Sequence, residues 1–118
     1  MGRRARVLVV EDVMVIADVL CDVLRESGFE PVGPSATVDK ALHLIATSAV
    51  DAAILDIRLL NGRSFPVAYA LRDRGIPFVF VTGSRAEEVP PDLKNELLIL
   101  KPPERGELAG AILRLLKR

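Results

Sequence analysis

Apolar residues along this chain alternate between two rhythms: short unbroken runs and longer stretches at helical spacing. Ala5 to Val10 contains the run Val7-Leu8-Val9-Val10, the pattern of a strand buried on both faces. From Val13 the period changes, and Val13, Ile16, Ala17, Leu20 and Leu24 share one helical face that Ser27-Gly28 ends. Glu30 to Pro34 reads as an edge strand. Val38, Ala41, Leu42, Ile45 and Ala46 form the face of a second helix, and Ala52 to Leu55 a second buried strand. After the loop signal Asn61-Gly62, Ser64 is expected to cap a third helix with Pro66 in its first turn, running to Arg74 before Gly75. Phe78 to Val81 and Leu97 to Leu100 are further strands, and Glu104 to Lys117 is a last helix with Leu108, Ile112 and Leu115 inward. Between Ser84 and Leu93, Pro90-Pro91 forbids one long helix, so a short helix, a break and a further turn are expected there.

Strands alternating with helices demand crossover connections, and those are right-handed. The expected fold class is therefore α/β: a (βα)5, doubly wound, five-stranded parallel sheet of the flavodoxin-like kind. No internal repeat or long linker interrupts the pattern, so residues 1–118 are read as a single domain, a size that builds its own core.

Composition narrows the function. Lys+Arg 16 balances Asp+Glu 16, so the basic excess of a nucleic-acid surface is missing, and Arg3, Arg4 and Arg6 are read as a solvated terminus. The single cysteine, Cys21, cannot form an internal disulfide and lies in a helical apolar pattern, which fits a buried thiol in a reducing cytoplasm. No apolar stretch reaches the ~18 residues of a membrane span. The expectation is a cytoplasmic domain without a membrane or nucleic-acid partner.

Ligands of such sheets gather outside the carboxyl ends of the strands. The first strand is followed by Glu11-Asp12, the third by Asp56, the fourth ends in Thr82-Gly83, and the fifth runs into Lys101-Pro102. In a parallel sheet these converge on one rim. Three carboxylates crowded there repel one another, by ~4 kcal/mol for a pair ~4 Å apart at an effective dielectric of 20. An all-oxygen cluster without nearby His or Cys suits Mg²⁺, and Lys101 is expected to add a positive charge on the far side of the pocket. Mg²⁺, a lysine and a hydroxyl together suit a phosphoryl group, with a carboxylate as acceptor. Asp56, alone at the end of a central strand, is the candidate.

On Glu11-Asp12, Asp56, Thr82 and Lys101-Pro102, in order and each at a strand end, the chain resembles the receiver family of response regulators, the CheY-like superfamily, over nearly its whole length. The resemblance implies that Asp56 is phosphoacceptor and metal ligand, Asp12 a direct Mg²⁺ ligand and Glu11 a ligand through water. It also implies that the backbone carbonyl of Arg58 completes the protein ligands. Thr82, the backbone amide of Gly83, and Lys101 would hold the phosphoryl group, and Lys101-Pro102 would be a cis bond. The implied partners are a sensor histidine kinase or histidine phosphotransfer protein, a downstream protein, and a second copy of the chain in a phosphorylation-dependent homodimer. Such a protein catalyses its own phosphotransfer and slow dephosphorylation and is no turnover enzyme. Pro77 to Gly83 also resembles a subfamily of stand-alone receivers with Pro-Phe-x-Phe-Ala-Thr-Gly, Val81 standing in place of its Ala.

Three positions depart from the family pattern. Leu98 stands where many receivers carry a switch aromatic, Leu60 where many have Pro, and Pro90-Pro91 interrupts the fourth helix. The alternatives are weaker. Asp12 alone would serve as a helix cap. Lys101 alone would be a surface lysine. His43 is read as exposed and idle, Tyr69 and Arg72 as partial packing, and Arg85 as solvated. A haloacid-dehalogenase phosphatase needs a second Asp where Arg58 stands. A flavodoxin needs a phosphate-cradling loop where Glu11-Asp12 stand, and the nucleotide-binding Gly-x-x-x-x-Gly-Lys-Ser/Thr is absent. The remaining rival is a degenerate receiver acting as a phosphorylation-independent docking module.

Overall fold

A computed structural model describes residues 3–83 and 89–117. Five strands, β1 (Arg6–Val10), β2 (Glu30–Ser35), β3 (Ala52–Leu55), β4 (Phe78–Thr82) and β5 (Leu97–Leu100), form one parallel sheet in the order 2-1-3-4-5. Four α-helices are described: α1 (Met14–Glu26), α2 (Val38–Thr47), α3 (Phe65–Asp73) and α4 (Arg105–Leu116). The expected fold class is the observed one. Of the helix and turn expected between Ser84 and Leu93, residues 84–88, with Arg85, lie outside the described residues. The remainder is a short 3-10 turn at Pro91–Leu93.

The unbroken apolar runs follow from covering the sheet on both faces. Val7 and Val9 of β1 pack toward α1 and α4, while Leu8 and Val10 pack toward α2 and α3. All four are fully buried, and each contributes roughly 1.5–3 kcal/mol of hydrophobic stabilisation. Cys21 is buried in the first of these layers, and burial pushes its thiol pKa up. His43 is exposed, as expected. Among the described residues, no helix is long and apolar enough to cross a membrane.

Several local expectations are corrected. Val13 does not face the core: it is the N-cap residue of α1 and 47% exposed, and Met14 and Val15 beside it are exposed too. Ser64 makes no side-chain cap; its hydroxyl is buried without a partner among the described residues, and its amide is tied to Ile57 O. The Asn61-Gly62 loop is the tip of a small hairpin in which Arg58–Leu59 pairs antiparallel with Gly62–Arg63.

One bend in β2 bears on the site. Gly33 has φ +99°, and a Cβ there would lie 2.9 Å from the amide nitrogen of Ser35 and 3.2 Å from Val9 O, so only glycine fits. The β1–β2 register shifts at this point, and Ser35 O then accepts the amide of Glu11 at 2.9 Å. Gly33-Pro34 and Lys101-Pro102 are both cis, the second as the family resemblance implied.

The arginines near the start of the chain are not merely solvated. Arg3 forks onto Asp51 at 2.9 and 3.1 Å, the Arg6 amide donates to Asp51 Oδ2 at 2.8 Å, and the Arg6 guanidinium reaches Glu30 and Ala49 O. Burial pulls the Asp51 carboxyl up, but Arg3 and Arg6 outweigh it and hold the pKa below the ordinary 3.8. A depressed folded-state pKa adds stability that is whole above the ordinary value and fades as pH falls through the folded one. Asp51→Asn is therefore expected to lower the unfolding free energy at pH 7, by on the order of 1 kcal/mol or less because the pair is partly exposed. The gap to wild type should close as pH drops below 3.8. A gap that is equally wide in strong acid would show that packing, not charge, is what the substitution removes.

Candidate functional site

Each site residue sits where a strand runs out, and the sheet's own hydrogen bonding carries on just far enough to hold it. The Asp56 amide donates to Val10 O at 2.9 Å, the Glu11 amide to Ser35 O at 2.9 Å, and the Lys101 amide to Thr82 O at 2.8 Å. Neighbouring strand ends are thereby stitched together, and their side chains have a rigid base. Glu11, Asp56 and Thr82 are 2%, 7% and 3% exposed.

Glu11, Asp12 and Asp56 each bring a carboxylate oxygen within 4.8 Å of the others. At that spacing each ionised pair costs roughly 3 kcal/mol in a medium of effective dielectric near 20. Lys101 supplies the compensating charge, and its placement corrects the expectation that it would stand on the far side. Its Nζ lies within the cluster, 2.6 Å from Glu11 Oε1 and 3.1 Å from Asp56 Oδ2. Burial pulls the lysine pKa down, but Glu11 and Asp56 outweigh it, and the value lies above that of an ordinary lysine.

Glu11 has a second task. Its Oε2 accepts the Val13 amide at 3.1 Å at the start of α1, whose N-cap residue, Val13, provides no side-chain cap of its own. The capping role weighed for Asp12 thus falls to Glu11, which leaves Asp12 half-exposed at the pocket mouth. The other Glu11 oxygen, Oε1, is the one held by Lys101. An all-oxygen donor set of this kind fits a hard divalent cation such as Mg²⁺, which would compete with Lys101 for Glu11 and Asp56.

Thr82 and Gly83 close the rim at the end of β4, and Arg58 opens the short hairpin two residues beyond Asp56. Leu98 is half-buried against the α2 and α3 layer, where it offers no hydroxyl. Leu60 is 85% exposed at the hairpin tip.

One polar cluster away from the pocket was not anticipated. Tyr69 and Arg72 of α3, read from sequence as partial packing, both engage Asp92 in the 3-10 turn. The available signal was their i, i+3 spacing on one helix face, opposite the acids Asp92 and Glu96.

No family model matches the chain. A response regulator receiver protein of Anaeromyxobacter sp. strain Fw109-5 is 35% identical over 108 residues, 90% of this chain; the chain spans 43% of that relative's length. The solution structure of SdrG from Sphingomonas melonis Fr1 is 39% identical, with 98% of this chain and 99% of that one covered at a TM-score of 0.85. SdrG in its BeF3-activated conformation matches at a TM-score of 0.81 with the same identity. A CheY-like receiver domain from Methanospirillum hungatei JF-1 is 26% identical, with 97% and 94% covered and a TM-score of 0.86. Similarity of this degree runs through nearly the whole of this chain, and the chain belongs to the receiver family of response regulators in two-component signalling.

Proposed function

We propose that this receiver takes a phosphoryl group from a histidine of a sensor kinase or phosphotransfer protein onto Asp56 and presents an altered surface to a downstream protein. The observation that carries the reading is the Asp56 carboxylate, 7% exposed at the end of a central strand, with the Lys101 ammonium 3.1 Å away. A carboxylate oxygen of Asp56 forms the bond to phosphorus while the phosphorus–nitrogen bond of the donor breaks, and the electron pair leaves with the imidazole. Lys101, freed from Asp56 Oδ2, pairs with one phosphoryl oxygen, and the Thr82 hydroxyl and Gly83 amide donate to others. Asp12, Asp56, the Arg58 carbonyl and, through water, Glu11 would hold Mg²⁺, which when bound supplies positive charge against the crowded phosphoryl oxygens.

The rest of the reading follows from surface and burial. Met14 and Val15, 66% and 74% exposed at the start of α1, offer an apolar patch two and three residues past Asp12, where a protein phosphodonor would come to rest. The intact pocket speaks against a docking module indifferent to phosphorylation, and SdrG, solved in a BeF3-activated conformation, speaks for a responsive one. A single cytoplasmic domain over residues 1–118, membership of the stand-alone subfamily, and a phosphorylation-dependent homodimer belong to the same proposal. Leu98 rules out a phenol switch at its position. The signal instead travels from Thr82 and Gly83 into the segment that ends at Leu93.

With Mg²⁺ and acetyl phosphate, the intact protein is expected to gain the mass of one phosphoryl group and Asp56→Asn to gain none; equal labelling of both would remove Asp56 from this role. The metal has its own readout. Mg²⁺ at millimolar concentration should raise the melting temperature, since a ligand of the native state stabilises it by mass action. Lys101→Met, which takes away the resident cation, should bind Mg²⁺ more tightly, on the order of tenfold for a change near 1.4 kcal/mol. Weaker Mg²⁺ binding by that variant would contradict the competition between lysine and metal.

A further inference from the structure

The first turn of α1 supplies little of its own order. Val13, the N-cap residue, contributes no side-chain cap, and Met14 to Ala17 bring no acid to the first turn. A helix start with neither leaves its amide groups short of acceptors. Glu11 makes up part of the shortfall from outside the helix. Its Oε2 accepts the Val13 amide at 3.1 Å, and its negative charge lies at the positive end of the helix dipole.

The Glu11 backbone is fixed, since its amide donates to Ser35 O at 2.9 Å, so the freedom that remains is in the side chain. Its other oxygen is what holds that side chain. Lys101 Nζ stands 2.6 Å from Oε1 and 3.1 Å from Asp56 Oδ2, and the Lys101 amide is itself tied to Thr82 O at 2.8 Å. A carboxylate is planar, with its two oxygens facing apart. Once Oε1 is drawn into the pocket, Oε2 is left turned toward α1. Glu11 is 2% exposed, so solvent gives neither oxygen a ready substitute partner.

Removing the ammonium leaves Oε1 beside like charges, since Asp12 and Asp56 each bring an oxygen within 4.8 Å. Repulsion then works to turn the Glu11 side chain away from its place. A divalent cation held by the same acids restores the pull on Oε1. We infer that Lys101 is a positioning residue for the start of α1, acting through Glu11, and that a cation in the acid pocket takes over this task when it displaces the lysine. The state of the pocket is thereby felt at Met14 and Val15, the exposed apolar residues that follow Val13. The second half of the inference rests on the Mg²⁺ reading proposed above.

The experiment is solvent exchange of the backbone amides, followed by NMR on the full chain with and without millimolar Mg²⁺. Metal binding is read separately, from the shifts of the Asp12 and Asp56 amides. Without Mg²⁺, Lys101→Met should exchange the Val13 amide about two- to tenfold faster than wild type, the range that a helix cap controls. Mg²⁺ should bring the rate back to that of wild type. Lys101→Gln, which keeps a polar side chain in the pocket, should behave in the same way and serves if Lys101→Met fails to fold. In Glu11→Ala the cap itself is gone, so exchange at Val13 should be fast with or without Mg²⁺. A Mg²⁺ rescue there would show that the metal acts on α1 without Glu11 and would overturn the inference. Val13 exchange as slow in the lysine variants as in wild type would overturn it too. So would fast exchange that persists in those variants after Mg²⁺ has shifted Asp12 and Asp56, a result that leaves the metal reading standing. No Mg²⁺-dependent shift at Asp12 and Asp56 in wild type would overturn the metal reading and this inference with it.

Discussion

The crowding of negative charge at one end of the sheet is the constraint on which the site depends. Glu11, Asp12 and Asp56 lie within 4.8 Å of one another, two of them buried, and such a cluster persists only beside positive charge. Lys101 meets that need by lying between Glu11 and Asp56 instead of across the pocket from them. The resting state is thus already neutralised in part. On the function proposed, a metal ion or a phosphoryl group would change which partner the lysine serves.

Rigidity at the pocket comes from ordinary sheet bonding prolonged by one residue. Because the amides of Glu11, Asp56 and Lys101 are each bonded to the neighbouring strand, their side chains start from fixed points, and little freedom is lost when they gather around a ligand. The bend at Gly33 belongs to the same arrangement, since it brings Ser35 O beneath the Glu11 amide. Glu11 then joins the pocket to α1 by accepting the Val13 amide with one oxygen while the other meets Lys101. Away from the pocket, Tyr69 and Arg72 of α3 tie Asp92 of the 3-10 turn in place.

Much of this is legible in the sequence because parallel strands covered on both faces appear as unbroken apolar runs, whose ends mark the rim. Asp56 and Lys101 could be placed at the rim in that way, and the family resemblance added roles to positions that periodicity alone leaves open. The direction of Lys101 could not be read: a flexible four-carbon side chain turns toward whichever charges the tertiary fold brings near. Helical spacing likewise put Val13 on the inward face, since periodicity cannot tell that it is the N-cap residue, just outside α1 and exposed. Arg3 and Arg6 looked like a solvated terminus because Asp51, their partner, is far away in sequence and near only in the fold. Ser64 has the residue type of a cap, but its hydroxyl points elsewhere and α3 starts without it.

The central claim is that these three acids form one cation site governed by Lys101. Substituting Mn²⁺ for Mg²⁺ and following the paramagnetic broadening of amide signals tests it most directly, because the effect falls steeply with distance from the ion. The account predicts broadening centred on Glu11, Asp12 and Asp56 through Arg58, appearing at lower Mn²⁺ concentration in Lys101→Met. Broadening centred on other carboxylates, or an unchanged Mn²⁺ requirement in the variant, would contradict it.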